Sequence, residues 1–160
     1  MDNIVYTRID DRLVHGQVMT AWVQVTGANE VLIIDDEVAK NSFLQMVMKS
    51  AMPNKVSLKV VSVEQAEQYL KGAAKKKKMF VLVKTPLTVV DLWDHDVQIQ
   101  SLGVGGMGAK TGRTTLYRNI SASQEEREAL KELQIRGVDV FFQVTPDNNK
   151  VALKTVLKGE

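Results

Sequence analysis

Apolar runs rich in β-branched residues recur along the chain at Ile4–Tyr6, Val31–Ile34, Val56–Val61, Met79–Val83, Val97–Leu102 and Val138–Val144. Short runs that stay apolar at successive positions predict strands covered on both faces. Between them the period changes. Val18, Ala21, Trp22 and Val25 fall at i, i+3, i+4 and i+7, and Leu44, Val47, Met48 and Ala51 repeat that spacing, as expected of helices with one apolar stripe. Ser62 with Gln65 and Ser123 with Glu126 stand at capping-box spacing, where each side chain satisfies a free amide at a helix start. Thr85-Pro86 fits an N-cap followed by proline at the first helical position. Gly72 and Gly137 are expected to stop the two capped helices in the left-handed conformation. Alternating strands and helices with short connections predict an α/β fold, an open, mostly parallel sheet with helices on both faces. Its ligand site should lie beyond the carboxyl ends of the strands.

Composition narrows the function classes. A chain of 160 residues with no evident linker or repeat reads as one domain, 1–160. The absence of cysteine removes a disulfide framework, a thiol nucleophile and any Cys-based zinc site. With 21 Lys+Arg against 19 Asp+Glu, the net charge of +2 supplies no strong basic face for nucleic acid. The lysine run Lys75–Lys78 reads as a solvated connection before a buried strand. No apolar leader opens the chain and no run approaches the ~18 apolar residues of a membrane helix, so a soluble, cytoplasmic protein is expected.

The first strand-to-helix junction concentrates charge. Arg8, Asp10, Asp11, Arg12 and His15 fall within eight positions. If the strand ends near Arg8 and a helix starts near Gly16, His15 sits at a strand's carboxyl end beside helix amides that favour anions. Arg8 and Arg12 offer permanently charged forks suited to phosphate oxygens. A neutral imidazole nitrogen is a nucleophile near pH 7, and Asp10 is placed to fix its tautomer. The alternative is that the arginines merely pair with the aspartates to order a turn.

Other signals are weaker. His95, in Trp93-Asp94-His95-Asp96, has no second histidine nearby and reads as a solvated turn rather than a metal ligand. Gly103–Arg113 reads as a long glycine-rich loop near the site rim. Gly103, Gly105 and Gly108 match G-x-G-x-x-G, but turn and strand follow instead of a helix. Ala109 also separates Gly108 from Lys110-Thr111, against the P-loop pattern. Asp36 suits a helix cap, and Asp35 is a candidate for the crevice beside His15.

The segment Arg8–Val18, RIDDRLVHGQV, resembles the IIB component of the mannose/fructose/sorbose class of the bacterial sugar phosphotransferase system. Weaker likenesses run through the chain: Ile34-Asp35-Asp36, Lys84-Thr85-Pro86, Gly105-Gly106-Met107 and Pro146. Gly103 departs from the polar residue that often precedes the family's glycines. The resemblance implies that His15 receives a phosphoryl group on Nδ1 from a phosphohistidine of a IIA component. His15 then passes it to a sugar carried by the membrane IIC/IID permease, with the chain held peripherally at the inner membrane face by that partner. It implies catalytic roles for His15, Arg8, Arg12 and Asp10, with no cofactor and no metal. Exposed apolar positions would support partner docking or a homo-oligomer. Two other readings stay open: a non-catalytic module binding an anion or sugar phosphate at the same rim, and a nucleotide site at Gly103–Thr111.

Overall fold

In a computed structural model that describes residues 1–158, the strands are β1 (Ile4–Asp10), β2 (Glu30–Ile34), β3 (Ser57–Val61), β4 (Met79–Val83), β5 (Ser101–Gly106), β6 (Thr114–Tyr117), β7 (Ile120–Ala122), β8 (Asp139–Phe142) and β9 (Val151–Ala152). The helices are α1 (Gly16–Thr26), α2 (Asp36–Ala39), α3 (Ser42–Ser50), α4 (Val63–Lys71), α5 (Pro86–Asp94), α6 (Gln124–Ile135) and α7 (Leu153–Leu157). Seven strands form one sheet in the order β3-β2-β4-β1-β5-β8-β9. All neighbours are parallel except the β8-β9 pair. The α/β expectation holds, and β6 with β7 adds a small antiparallel hairpin outside the sheet.

Alternation along the strands divides the core in two. Val31, Ile33, Phe80 and Leu82 face a cluster with Met19, Trp22 and Val23 of α1 and Met48 of α3. Leu32, Ile34, Val81 and Val83 face the opposite cluster, with residues of α4, α5, α6 and α7. The chain therefore leaves β1 over one face and β4 over the other. Connections that part in this way open a crevice at the strands' carboxyl ends, where open α/β sheets bind ligands.

Both capping boxes form, at Ser62 with Gln65 and at Ser123 with Glu126. Thr85 caps α5 ahead of Pro86. Gly137 has φ 92°, as expected after α6. Gly72 does not adopt the left-handed conformation: its φ is −109°. A side chain is excluded there for another reason, since a Cβ would stand 2.9 Å from the carbonyl oxygen of Gln68.

Two boundaries move in ways that matter for the site. The first strand runs on to Asp10, so Arg8 and Asp10 belong to β1 rather than to a loop. The supposed glycine-rich loop begins only after Gly106, because Gly103, Gly105 and Gly106 lie in β5 beside β1. Val97–Gln100 precede that strand as irregular chain.

Candidate active site

On β1 the side chains of Tyr6, Arg8 and Asp10 share one face, two residues apart. They lie across β5, and the glycines of β5 make the space. A Cβ on Gly103 would fall 2.1 Å from the Tyr6 hydroxyl, on Gly105 1.9 Å from Arg8 Nη1, and on Gly106 2.5 Å from Asp10 Oδ1. A shift in the β1-β5 register sets Ile9 opposite Val104 but Asp10 opposite Gly106, which turns the end of the strand.

Asp10 is the hub. Its Oδ2 accepts hydrogen bonds from Arg8 Nη2 at 3.1 Å, His15 Nε2 at 3.0 Å and Arg12 Nη2 at 3.4 Å. Its Oδ1 accepts from the Arg12 amide at 3.0 Å and Arg12 Nε at 3.2 Å. Burial alone would raise the Asp10 carboxyl pKa, but the hydrogen bonds from His15 and Arg12 and the charge of Arg8 outweigh it and hold the carboxyl below its ordinary value. A carboxylate accepting from Nε2 selects the tautomer with the proton on Nε2, and so leaves the lone pair on Nδ1.

The two arginines separate sharply. Arg12 has a side chain 56% exposed at the rim. Arg8 is 1% exposed, with Nη1 donating to the Gln143 carbonyl at 3.0 Å and its guanidinium carbon 5.3 Å from the centre of the Trp22 ring. The sequence suggests Arg8 as a fork for phosphate; in the structure its guanidinium is buried beneath the rim and bonded to Asp10 and the Gln143 carbonyl. Burial pushes its pKa down, and the Asp10 carboxylate opposes that shift. Tyr6 extends the chain of polar groups, its hydroxyl donating to Gln143 Oε1 at 3.1 Å. Burial raises the Tyr6 pKa against the pull of Arg8.

His15 occupies the N-cap of α1 with its side chain 24% exposed, and it makes no capping bond. The first-turn amides of α1 therefore have no side-chain acceptor from the cap, and no acidic residue stands in that turn. The preceding turn holds buried Leu13 at φ 58°, uncommon for a residue other than glycine.

Asp35, not Asp36, caps α2, accepting from the Val38 amide at 2.9 Å, while Asp36 accepts from the Val63 amide at 2.9 Å. Asp35 lines a polar cleft of about 550 Å³ with Asp11, Lys84, Lys110 and Arg113, and makes no bond to His15. His95 ends α5, with Nδ1 2.8 Å from the Asp91 carbonyl oxygen. Lys77 departs from the fully solvated reading of its run by pairing with buried Glu30 at 2.9 Å. Sequence reading missed Tyr6 and Gln143 and assigned the glycines of β5 to a loop near the rim; the available signal was the alternation of Tyr6, Arg8 and Asp10 against G-x-G-G.

A partly exposed histidine clamped through one nitrogen by a buried carboxylate, at the carboxyl edge of a parallel sheet, defines a candidate group-transfer centre. The sequence pattern of the PTS system sorbose subfamily IIB component matches residues 4–160, and the chain belongs to that family. It is 31% identical over 157 residues to the N-acetylgalactosamine-specific phosphotransferase enzyme IIB component 2 of Escherichia coli K12, covering 98% of this chain and 100% of the relative. It is 32% identical over 151 residues to the mannose-specific EIIAB component of Escherichia coli K12, covering 94% of this chain and 47% of that longer relative. The crystal structure of the IIBSor domain of the sorbose permease from Klebsiella pneumoniae superposes with a TM-score of 0.91 at 30% identity, covering 98% of this chain and 96% of that one. A phosphotransfer role in sugar uptake follows from the family, in company with the other components of such a system. Among the described residues no helix is long and apolar enough to cross a membrane.

Proposed function

We propose that His15 carries the phosphoryl group, taking it from a phosphohistidine of a IIA component and giving it to a sugar entering through a membrane IIC/IID permease. The observation that carries this reading is the 3.0 Å bond between His15 Nε2 and Asp10, which leaves Nδ1 as the nucleophilic nitrogen. The Nδ1 lone pair attacks phosphorus, the donor N–P bond breaks, and its electron pair returns to the donor imidazole. In such a transfer the protein mainly positions the reactants and neutralises charge on the equatorial oxygens. Arg12 and the open first turn of α1 are the groups available for that work. Arg8 acts only through Asp10. In the second step a sugar hydroxyl attacks, the His15 N–P bond breaks, and the hydroxyl proton departs to solvent. The first step exchanges like bonds and is reversible; the second makes an ester and runs forward.

Apolar side chains stand exposed shortly after the carboxyl ends of β4 and β8, at Leu87 and Val144, and would give partners a rim to dock on. Association with the membrane would then pass through the permease. Similar identity to relatives named for N-acetylgalactosamine and mannose favours sugar choice by those partners.

The test is intact mass after incubation with phosphoenolpyruvate, the general phosphotransferase proteins and a cognate IIA. We expect an acid-labile gain of about 80 Da, one phosphoryl group, in the wild type. His15→Ala should show none while keeping its thermal unfolding midpoint. No gain with an active, matched IIA would replace this reading with a binding module for anions or sugar phosphates.

A further inference from the structure

Arg113 is absent from the group around Asp10, yet its side chain is 2% exposed and ties the start of α6 to Asp11, the residue next to Asp10. Toward α6 it forms a fork on Glu126, with Nε to Oε1 at 2.9 Å and Nη2 to Oε2 at 2.8 Å. Its remaining nitrogen, Nη1, donates to Asp11 Oδ2 at 2.8 Å and to the Gly108 carbonyl at 2.9 Å. The Gly108 amide donates to the same Asp11 oxygen at 2.9 Å. Asp11 stands between Asp10 and Arg12, at the start of the turn in which Leu13 has φ 58°.

A branched side chain keeps such a φ only where its surroundings over-determine the backbone. Within the turn, the Leu13 amide bonds to the Asp10 carbonyl and the Arg12 amide to the Asp10 carboxylate. From outside it, the Asp11 amide reaches the Gly106 carbonyl, and the Asp11 carboxylate is strapped by Arg113 and Gly108. Buried charge networks of this kind are weak evidence for stability, since well-packed apolar residues often serve as well; what they can fix is a geometry.

We infer that Arg113 is a positioning residue for phosphoryl transfer, acting through Asp11 to hold the turn in which Arg12 and His15 converge on Asp10. The inference rests on the carrier role proposed for His15. It extends the machinery to a residue 98 positions along the chain that touches none of the reacting atoms.

Two variants separate positioning from folding. Asp11→Ala cuts the strap and leaves the Arg113 fork on Glu126 in place; Arg113→Met removes both. Phosphoryl uptake would be measured across concentrations of phosphorylated IIA, together with ¹⁵N spectra of the His15 ring. In both variants we expect kcat to fall about tenfold or more, as small misplacements of reacting groups do, with KM for IIA within twofold. The double variant should be no slower than Arg113→Met, and Arg113→Lys should not restore the rate, because a single ammonium cannot reproduce the fork. The ring should shift from one Nε2–H tautomer towards a mixture. An unchanged kcat or an unchanged ring spectrum in Asp11→Ala overturns the inference, as does additivity in the double variant. Should Arg113→Met not fold, Asp11→Ala decides alone. Should the wild type accept no phosphoryl group, the carrier reading fails, and the ring spectra of the same samples still decide whether the strap orients His15.

Discussion

The two strands flanking β1 solve opposite problems. On one side β4, Met-Phe-Val-Leu-Val, is buried at every position and supplies volume to both core clusters. Each such side chain contributes about 1.5–3 kcal/mol by leaving water. On the other side β5, Ser-Leu-Gly-Val-Gly-Gly, supplies space. Its glycines cost more backbone entropy on folding than larger residues would, and the room they leave is filled by Tyr6, Arg8 and Asp10 from β1. One flank is built for stability and the other for placing charge. A strand between them can therefore be a core strand on one edge and an active-site wall on the other.

Substitutions should divide along the same line. Asp10→Asn should be the most damaging. It leaves the buried Arg8 without its counter-charge, a loss of about 3–5 kcal/mol, measurable by denaturant unfolding. It should also slow phosphoryl uptake about 10–100-fold, by analogy with the loss of the carboxylate that orients a metal-ligating histidine. On the other flank, Leu82→Ala should cost about 2–5 kcal/mol by opening a cavity, while kcat per folded molecule stays unchanged; a slowed kcat would blur the division.

Acid should act on buried carboxylates on both sides of β1: on Glu30 in β2, where bonds from Tyr69, Lys77 and Ser57 outweigh burial and hold the carboxyl below its ordinary pKa, and on Glu126 in α6. Burial would raise the Glu126 pKa, but its bonds from Arg113, Ser123 and Thr85 carry it down from 4.5 to about 2. Because the folded value lies below the unfolded one, this contribution is complete above pH 4.5 and is lost as pH falls towards 2. It amounts to about 3 kcal/mol at full strength. Glu126→Gln should flatten that part of the stability profile, and Leu82→Ala should leave its slope intact. Gly105→Ala should cost at least as much as ordinary overpacking, about 1–3 kcal/mol, because the new methyl would fall 1.9 Å from Nη1 of the buried Arg8. For the same reason it should slow uptake where Leu82→Ala does not.

The uniform flank was legible in the sequence because its signal is local. Val31–Ile34 and Met79–Val83 carry their burial in their own composition, and the capping boxes are complete within four residues. Glycine in β5 carries the opposite signal: read alone, Gly103–Gly106 looks like flexible chain, and it becomes a strand only beside the side chains of β1. For the same reason Arg8 looked like a rim residue, since charge in a sequence reads as exposure until a carboxylate and a carbonyl are found to bury it. His15, Asp10 and Arg12 were visible because six consecutive residues, Asp10 to His15, contain all three. Gln143 and Arg113 were not, since their partners Arg8 and Asp11 lie 135 and 102 positions away, and no spacing rule reaches that far.

The bond that occupies Nε2 also has a kinetic consequence. With one ring nitrogen free and the ring only partly exposed, a carrier built this way has a single berth: donor and acceptor must visit in turn, and neither can wait in place while the other reacts. Uptake and delivery would follow ping-pong kinetics, with parallel double-reciprocal plots. Unphosphorylated IIA in excess would then act as a competitor of the permease, tying the rate of sugar entry to the phosphorylation state of the donor pool as well as to its size.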